Sequence, residues 1–241
     1  MFRATHEGHY WNYVINNIDT LRHTWTEFGW DAKHAGIYVL YSKLAVNRRP
    51  EWVASLPNAD NFVCSVMPES PTVSVSYSPG GLLVKEGGSN MQHVTAMSFL
   101  LLSYGRSQRR VGRVIRCGDV TITPRRLISF AKLQVDYILG SNPKGISYMS
   151  GYGSRYPQRI HHRASSVPSV AEHPGRISCK GGAAYFLDPG PNPNVLVGAV
   201  VGGPDINDQY DDSRANFAQS EPTTYINAPL VGLLAYFSAH P

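Results

Sequence analysis

The chain has 241 residues, 42% of them hydrophobic and 16% charged, with 22 Lys+Arg against 17 Asp+Glu and a formal charge of +5. That composition excludes intrinsic disorder, which goes with low hydrophobicity and high charge, and the length suffices for one sizeable core. No run of about 20 apolar residues occurs, so no membrane-spanning helix is expected; the longest apolar stretch near the C-terminus, Leu230 to Phe237, is short.

Residues Met1 to Glu7 lack the basic-then-apolar pattern of a signal peptide. Trp11, Val14, Ile18 and Leu21 then recur at spacings of three and four, the stripe of an amphipathic helix starting near Tyr10. A Gly29-Trp30-Asp31 break precedes a second helical stretch that contains Ile37, Leu40, Tyr41 and Leu44. A third is expected from Met91 to Tyr104. A fourth opens at Thr123-Pro124, an N-cap followed by proline at the first helical position, and stops at Gly140. Its stripe is Leu127, Ala131, Val135 and Ile138. The last fills Asn227 to Ala239, with Pro229 in its first turn. The reading is all-α.

Between the helices lie long stretches rich in Gly, Pro, Ser and Asn. Residues 65–90 have room for a short hairpin between Thr72 and Val84, and 141–216 form a longer connection still. Loops of that length are uncommon in a compact domain unless they carry function. They are where the chemistry is expected.

Three cysteines, Cys64, Cys117 and Cys179, form no CxxC pair and no zinc site by themselves, and leave at least one thiol unpaired. Cys117 has cationic neighbours but no partner base, so it reads as a structural or free thiol. Arg106, Arg109, Arg110, Arg113 and Arg116 form a basic run after the third helix. Without interleaved aromatics or a nucleic-acid motif, they read as a solvated face before a polyanion site.

Two segments stand out. In Tyr156-Pro-Gln-Arg-Ile-His161-His162-Arg163 the arginines would repel a divalent ion and no metal-ligand spacing is present. The segment is either a solvated basic loop or a set of donors for a neutral, hydroxyl-rich ligand. Asp205, Asp208, Asp211 and Asp212 crowd one loop without the EF-hand order, which leaves calcium unestablished. Glu221 precedes a proline-containing apolar helix, where burial would suit a general acid and the helix dipole would oppose it; an ordinary capping or surface glutamate is the alternative. The 14 Tyr, 4 Trp and 8 Phe supply faces for sugar rings as well as core.

The first segment, extended to Ser147–Arg163, resembles the histidine signature of glycoside hydrolase family 9. Tyr210–Ala228 resembles its acidic signature, and Asn192–Asp205, Tyr77-Ser-Pro-Gly-Gly-Leu-Leu and Ser89-Asn-Met-Gln-His are also similar to the family, in the style of plant endo-β-1,4-glucanases. The likeness covers almost the whole chain, residues 1–241, as the C-terminal part of one catalytic domain. It implies an (α/α)6 barrel of six helical hairpins, incomplete here at its N-terminal side, with a cleft formed by loops at one end. It further implies inverting hydrolysis of internal β-1,4-glucosidic bonds by two opposed carboxyl groups. Carried over by position, Glu221 is the general acid, Asp212 a supporting residue, His161 the signature histidine, and Arg163 and Tyr225 ligands to the sugar. No cofactor or metal is implied. The partner is a β-1,4-glucan, with neither nucleic acid nor membrane, and the oligomeric state stays open.

One departure follows. The family's base lies in an Asp-Ala-Gly-Asp motif that these residues lack; the only Asp-Ala is Asp31-Ala32, followed by Lys33-His34. Ala164 stands where relatives often have glycine. The expectation is a fragment with little hydrolysis of its own, or a β-glucan-binding remnant. The family implies the cell wall or extracellular space, although this N-terminus shows no signal peptide.

Overall fold

The computed structural model describes residues 1–17, 28–48, 56–85 and 88–241. Two helices, α1 (Phe2–Thr5) and α2 (Gly8–Asn16), open the chain, and α3 (His34–Arg48) follows. Ile18 and Leu21 of the first expected stripe lie outside the described residues. Trp11 of α2 stacks on Tyr41 of α3, with centroids 4.8 Å apart and planes at 3°. The aromatic pair fastens the amphipathic face of α2 to the rest of the molecule.

The core centres on α5 (Met91–Arg110), against which α6 (Pro124–Ile138), α10 (Thr224–Ala239) and α3 all pack. Val94, Met97, Leu101 and Tyr104 of α5, spaced at three and four, are fully buried. They meet Leu127, Ala131, Val135 and Ile138 of α6 and Ile226, Leu230 and Leu233 of α10. Each such side chain contributes about 1.5–3 kcal/mol of apolar burial, so this three-helix contact is the main source of stability.

Helix α6 forms as its sequence dictates. The Thr123 hydroxyl accepts from the Arg126 N–H at 3.2 Å, Pro124 sits at the first helical position, and Gly140 adopts φ +123° just past the end. Three expectations need correction. Helix α5 runs on to Arg110, so Arg106, Arg109 and Arg110 are helical residues rather than part of a following loop. Helix α10 begins at Thr224, which puts Pro229 in its interior, where it leaves the Tyr225 carbonyl without an i+4 donor. The third is an omission: α4 (Leu56–Val66), whose Phe62, Val63 and Val66 are buried.

Two short antiparallel ribbons complete the regular structure. Strands β1 (Ser76–Tyr77) and β2 (Leu83–Val84) form the hairpin expected between Thr72 and Val84. Strands β3 (Ile115–Cys117) and β4 (Val120–Ile122) turn at Gly118-Asp119, a two-residue hairpin loop whose first residue, Gly118, takes φ +59°. Cys64 of α4 is disulfide-bonded to Cys117 of β3, while Cys179 is free and exposed. Cys117 is thus a structural cystine, not a thiol. Among the described residues the sheet content is confined to these ribbons and no helix is long and apolar enough to cross a membrane. The all-α reading stands.

Residues 141–216 are largely irregular, with α7 (Arg163–Ser166) and α8 (Gly182–Leu187) inside them and α9 (Phe217–Ser220) just after. They gather where α6 ends and α5 and α10 begin. Tyr148 N–H donates to the Ile138 carbonyl, Asn227 accepts from Val200 N–H and donates to Gly198 O, and Met91 N–H donates to Gly202 O. Gly202 is required there: a Cβ would stand 2.2 Å from the Ala218 carbonyl oxygen. This crossing packs the loop against the segment that leads to Glu221.

Candidate active site

Glu221 terminates α9, its N–H donating to Phe217 O at 3.0 Å, and the preceding carbonyl of Ser220 accepts from His161 N–H at 3.0 Å. The acidic and histidine segments are therefore joined main chain to main chain. His161 Nδ1 lies 2.6 Å from the Arg214 carbonyl; a carbonyl only accepts, so Nδ1 carries the proton. The ring sits edge-on to Phe186 and Phe217, at 5.9 and 6.2 Å between centroids.

His161, Arg163 and Glu221 share the wall of one open cavity of about 680 Å³ with Ile177, Ser178 and Cys179. An adjoining space of about 520 Å³ is bounded by His161, Arg163, Lys180, Phe186 and Arg214. Among the described residues, the Glu221 carboxylate and the Arg163 guanidinium make no hydrogen bond or ion pair. Both are free to meet a ligand.

Asp212 stands outside this wall. Its Oδ2 accepts from Gln158 N–H at 2.9 Å and its Oδ1 from Arg159 N–H at 3.0 Å, so the whole carboxylate holds the backbone leading to His161. Tyr225 is also outside it, on the first turn of α10, with its ring 6.3 Å from that of Trp30 and the planes at 32°. Trp30 is 62% and Tyr225 36% exposed, a pair of aromatic faces open to solvent.

The remaining aspartates do not converge. Asp205 Oδ1 accepts from Asn207 and Gln209 N–H, and buried Asp208 accepts from Gly80 N–H at 2.6 Å and from the Tyr137 hydroxyl at 2.5 Å. The described residues hold no group of three or more His, Cys, Asp or Glu arranged for a metal ion. Tyr137 stacks on Tyr148, which meets Tyr210 edge-on, and burial raises the pKa of all three hydroxyls. The basic run is not one free patch either. Arg113 pairs with Asp60, which also accepts from Tyr104, and Arg106 lies over the Tyr236 ring at 4.8 Å.

Sequence reasoning missed Arg214, Asn192, Phe186 and Trp30. Arg214 alone carried a signal, as a cation two residues beyond the Asp211-Asp212 pair.

A free carboxylate, a histidine and a guanidinium thus share one loop-built cavity on a helical scaffold. The chain belongs to glycosyl hydrolase family 9, whose sequence profile matches residues 1–234. It is 56% identical over 243 residues to Endoglucanase 4 of Arabidopsis thaliana, covering 100% of this chain and 50% of that protein. Against Endoglucanase 6 of Oryza sativa subsp. japonica it is 57% identical over 247 residues, covering 100% and 49%. The chain thus spans about half the length of these relatives. Among solved structures it is similar to the endoglucanase of the termite Nasutitermes takasagoensis, with TM-score 0.78, 30% identity, and 99% and 48% of the two chains covered. It is also similar to endoglucanase CelQ of Clostridium thermocellum complexed with cellobiose and cellotriose, with TM-score 0.79, 25% identity, and 99% and 37% covered.

Proposed function

We propose that this chain forms the acid side of an endo-β-1,4-glucanase active site within a partial six-hairpin barrel. In this reading Glu221 protonates the leaving glycosidic oxygen while His161 and Arg163 bind sugar hydroxyls. The observation that carries it is the unpartnered Glu221 carboxylate on the same cavity wall as the free Arg163 guanidinium and His161. Asp212 supports the site by holding the backbone at 158–159, and Tyr225, beside Trp30, offers an aromatic face to a pyranose. The cello-oligosaccharides in the CelQ complex favour a β-1,4-glucan as substrate.

In an inverting pair the second carboxylate stands about 6.5–9.5 Å from the acid and activates water on the opposite face. Residues 1–241 contain no Asp-Ala-Gly-Asp motif to supply it. Losing base assistance costs about 10²–10⁴-fold in rate, so these residues alone bind glucan and hydrolyse it barely. The same absence favours the second reading, a β-glucan-binding unit without turnover. The Cys64–Cys117 disulfide favours an oxidising location such as the cell wall or extracellular space. Cello-oligosaccharide titration beside a reducing-end assay on a soluble cellulose derivative tests the proposal. Binding with negligible turnover is expected; no binding by folded protein would refute both readings.

A further inference from the structure

Arg214 is an unusual residue to find inside this segment. Only 4% of it is exposed, and its guanidinium meets neutral acceptors rather than a carboxylate. Nε donates to Asn192 Oδ1 at 2.6 Å, Nη2 to the Gly190 carbonyl at 2.8 Å, and Nη1 to the Asp188 carbonyl. Burying a cation is costly unless its donors are satisfied, and here the planar fork is satisfied along one turn of chain.

That turn is bonded back to the histidine segment. Asn192 Nδ2 donates to the carbonyl of Ile160 and to the Ser165 hydroxyl, both at 3.0 Å, while its N–H donates to Gln158 O at 2.8 Å. His161 follows Ile160, and its ring returns to the Arg214 carbonyl. The circuit is closed: guanidinium to Asn192, Asn192 to the backbone at 160, ring Nδ1–H to the carbonyl of Arg214 itself. Main-chain and side-chain groups of one residue fix the same imidazole from two directions.

We propose that Arg214 is the positioning residue of His161, holding the neutral ring in its Nδ1–H form so that Nε2 is left as an acceptor for a sugar hydroxyl. Among the described residues Nε2 has no hydrogen-bond partner, and His161 lines both parts of the cavity. Without Arg214 the carbonyl is no longer held by the 188–192 turn, and the ring is free to adopt the opposite tautomer and present an N–H instead. The sugar step rests on the glucanase reading. The tautomer does not.

The test reads the ring nitrogens directly. In the 241-residue chain labelled with ¹⁵N-histidine, long-range ¹H–¹⁵N spectra recorded where the rings are neutral should show His161, assigned by loss of its signals in His161→Gln, mainly as the Nδ1–H tautomer. Arg214→Met should move that population towards Nε2–H and weaken cellotetraose binding about tenfold. Asn192→Ala, which removes one acceptor of the fork and its link to Ile160, should shift the tautomer in the same direction and serves if Arg214→Met does not fold. An Nε2–H ring in the unaltered chain, or an unchanged tautomer in a folded variant, overturns the proposal. A chain with the Nδ1–H ring that binds no cellotetraose overturns the glucanase reading and leaves this one intact.

Discussion

The carboxylate of Asp212 and the backbone of Arg159 clasp the two signature segments together across 53 residues of sequence, Oδ1 accepting from Arg159 N–H at 3.0 Å. The other oxygen takes the neighbouring Gln158 N–H at 2.9 Å. Replacing Asp212 by Asn keeps one acceptor and turns an NH₂ towards a backbone donor. Asp212→Asn should therefore lower unfolding stability by about 1–3 kcal/mol in urea titration, as expected for a charge-assisted pair made unsatisfied. Stability equal to the unaltered chain would show that the clasp does not form in solution.

The disulfide closes a loop of 53 residues between α4 and β3. Constraining the unfolded chain over that span is worth about 2–4 kcal/mol. Reduction, or Cys64→Ser with Cys117→Ser, should lower the urea midpoint accordingly. Cys179, exposed, should react with a thiol reagent in the folded oxidised protein as the single titratable thiol; a second reactive thiol would argue against the pairing.

Tyr104, Tyr137 and Tyr148 are buried, and burial raises the pKa of their hydroxyls above the ordinary value of 10.0. The unfolded chain releases these protons first, so the stability they contribute is complete below about pH 10 and is lost as pH rises beyond it. Each costs about 1.4 kcal/mol per pH unit in that window. Tyrosinate absorbance should grow in two stages, exposed residues first and the buried set together with loss of helical circular dichroism. A single gradual titration with the helices intact would exclude this.

Trp30 and Tyr225 present neighbouring exposed rings. Truncating either to Ala removes a stacking face worth about 0.5–1.5 kcal/mol, so cello-oligosaccharide affinity should fall about two- to tenfold with the unfolding midpoint unchanged. Unaltered affinity in both variants would place the sugar elsewhere.

Much of the scaffold was legible because it is local. The Thr123-Pro124 cap, the α6 stripe and Gly140 each act within a few residues, and the structure reproduces them. The end of α5 was not, since Arg106 and Arg113 are held by Tyr236 and Asp60, partners far along the chain. Helix α4 was missed for a related reason: Pro57 and Asn58 in its first turn favour turns on local propensity alone, and tertiary burial of Phe62 and Val66 prevails. In the site, the sequence pointed to His161, Arg163 and Glu221, which share a cavity wall. The work of Asp212 and Arg214 lay hidden because it is done on backbone groups, which leave no residue signature.

The central claim is that Glu221 acts as an acid in residues that lack the opposing base. Azide tests it directly, because a small anion can attack the anomeric carbon where no carboxylate activates water. The C1–O bond breaks, the proton of Glu221 goes to the leaving oxygen, and an α-glycosyl azide forms. The account predicts negligible reducing-end release from cellotetraose in buffer, azide-dependent cleavage yielding that product, and loss of the cleavage in Glu221→Gln. Hydrolysis in buffer that persists in Glu221→Gln, or no azide product from protein that binds cellotetraose, would contradict it.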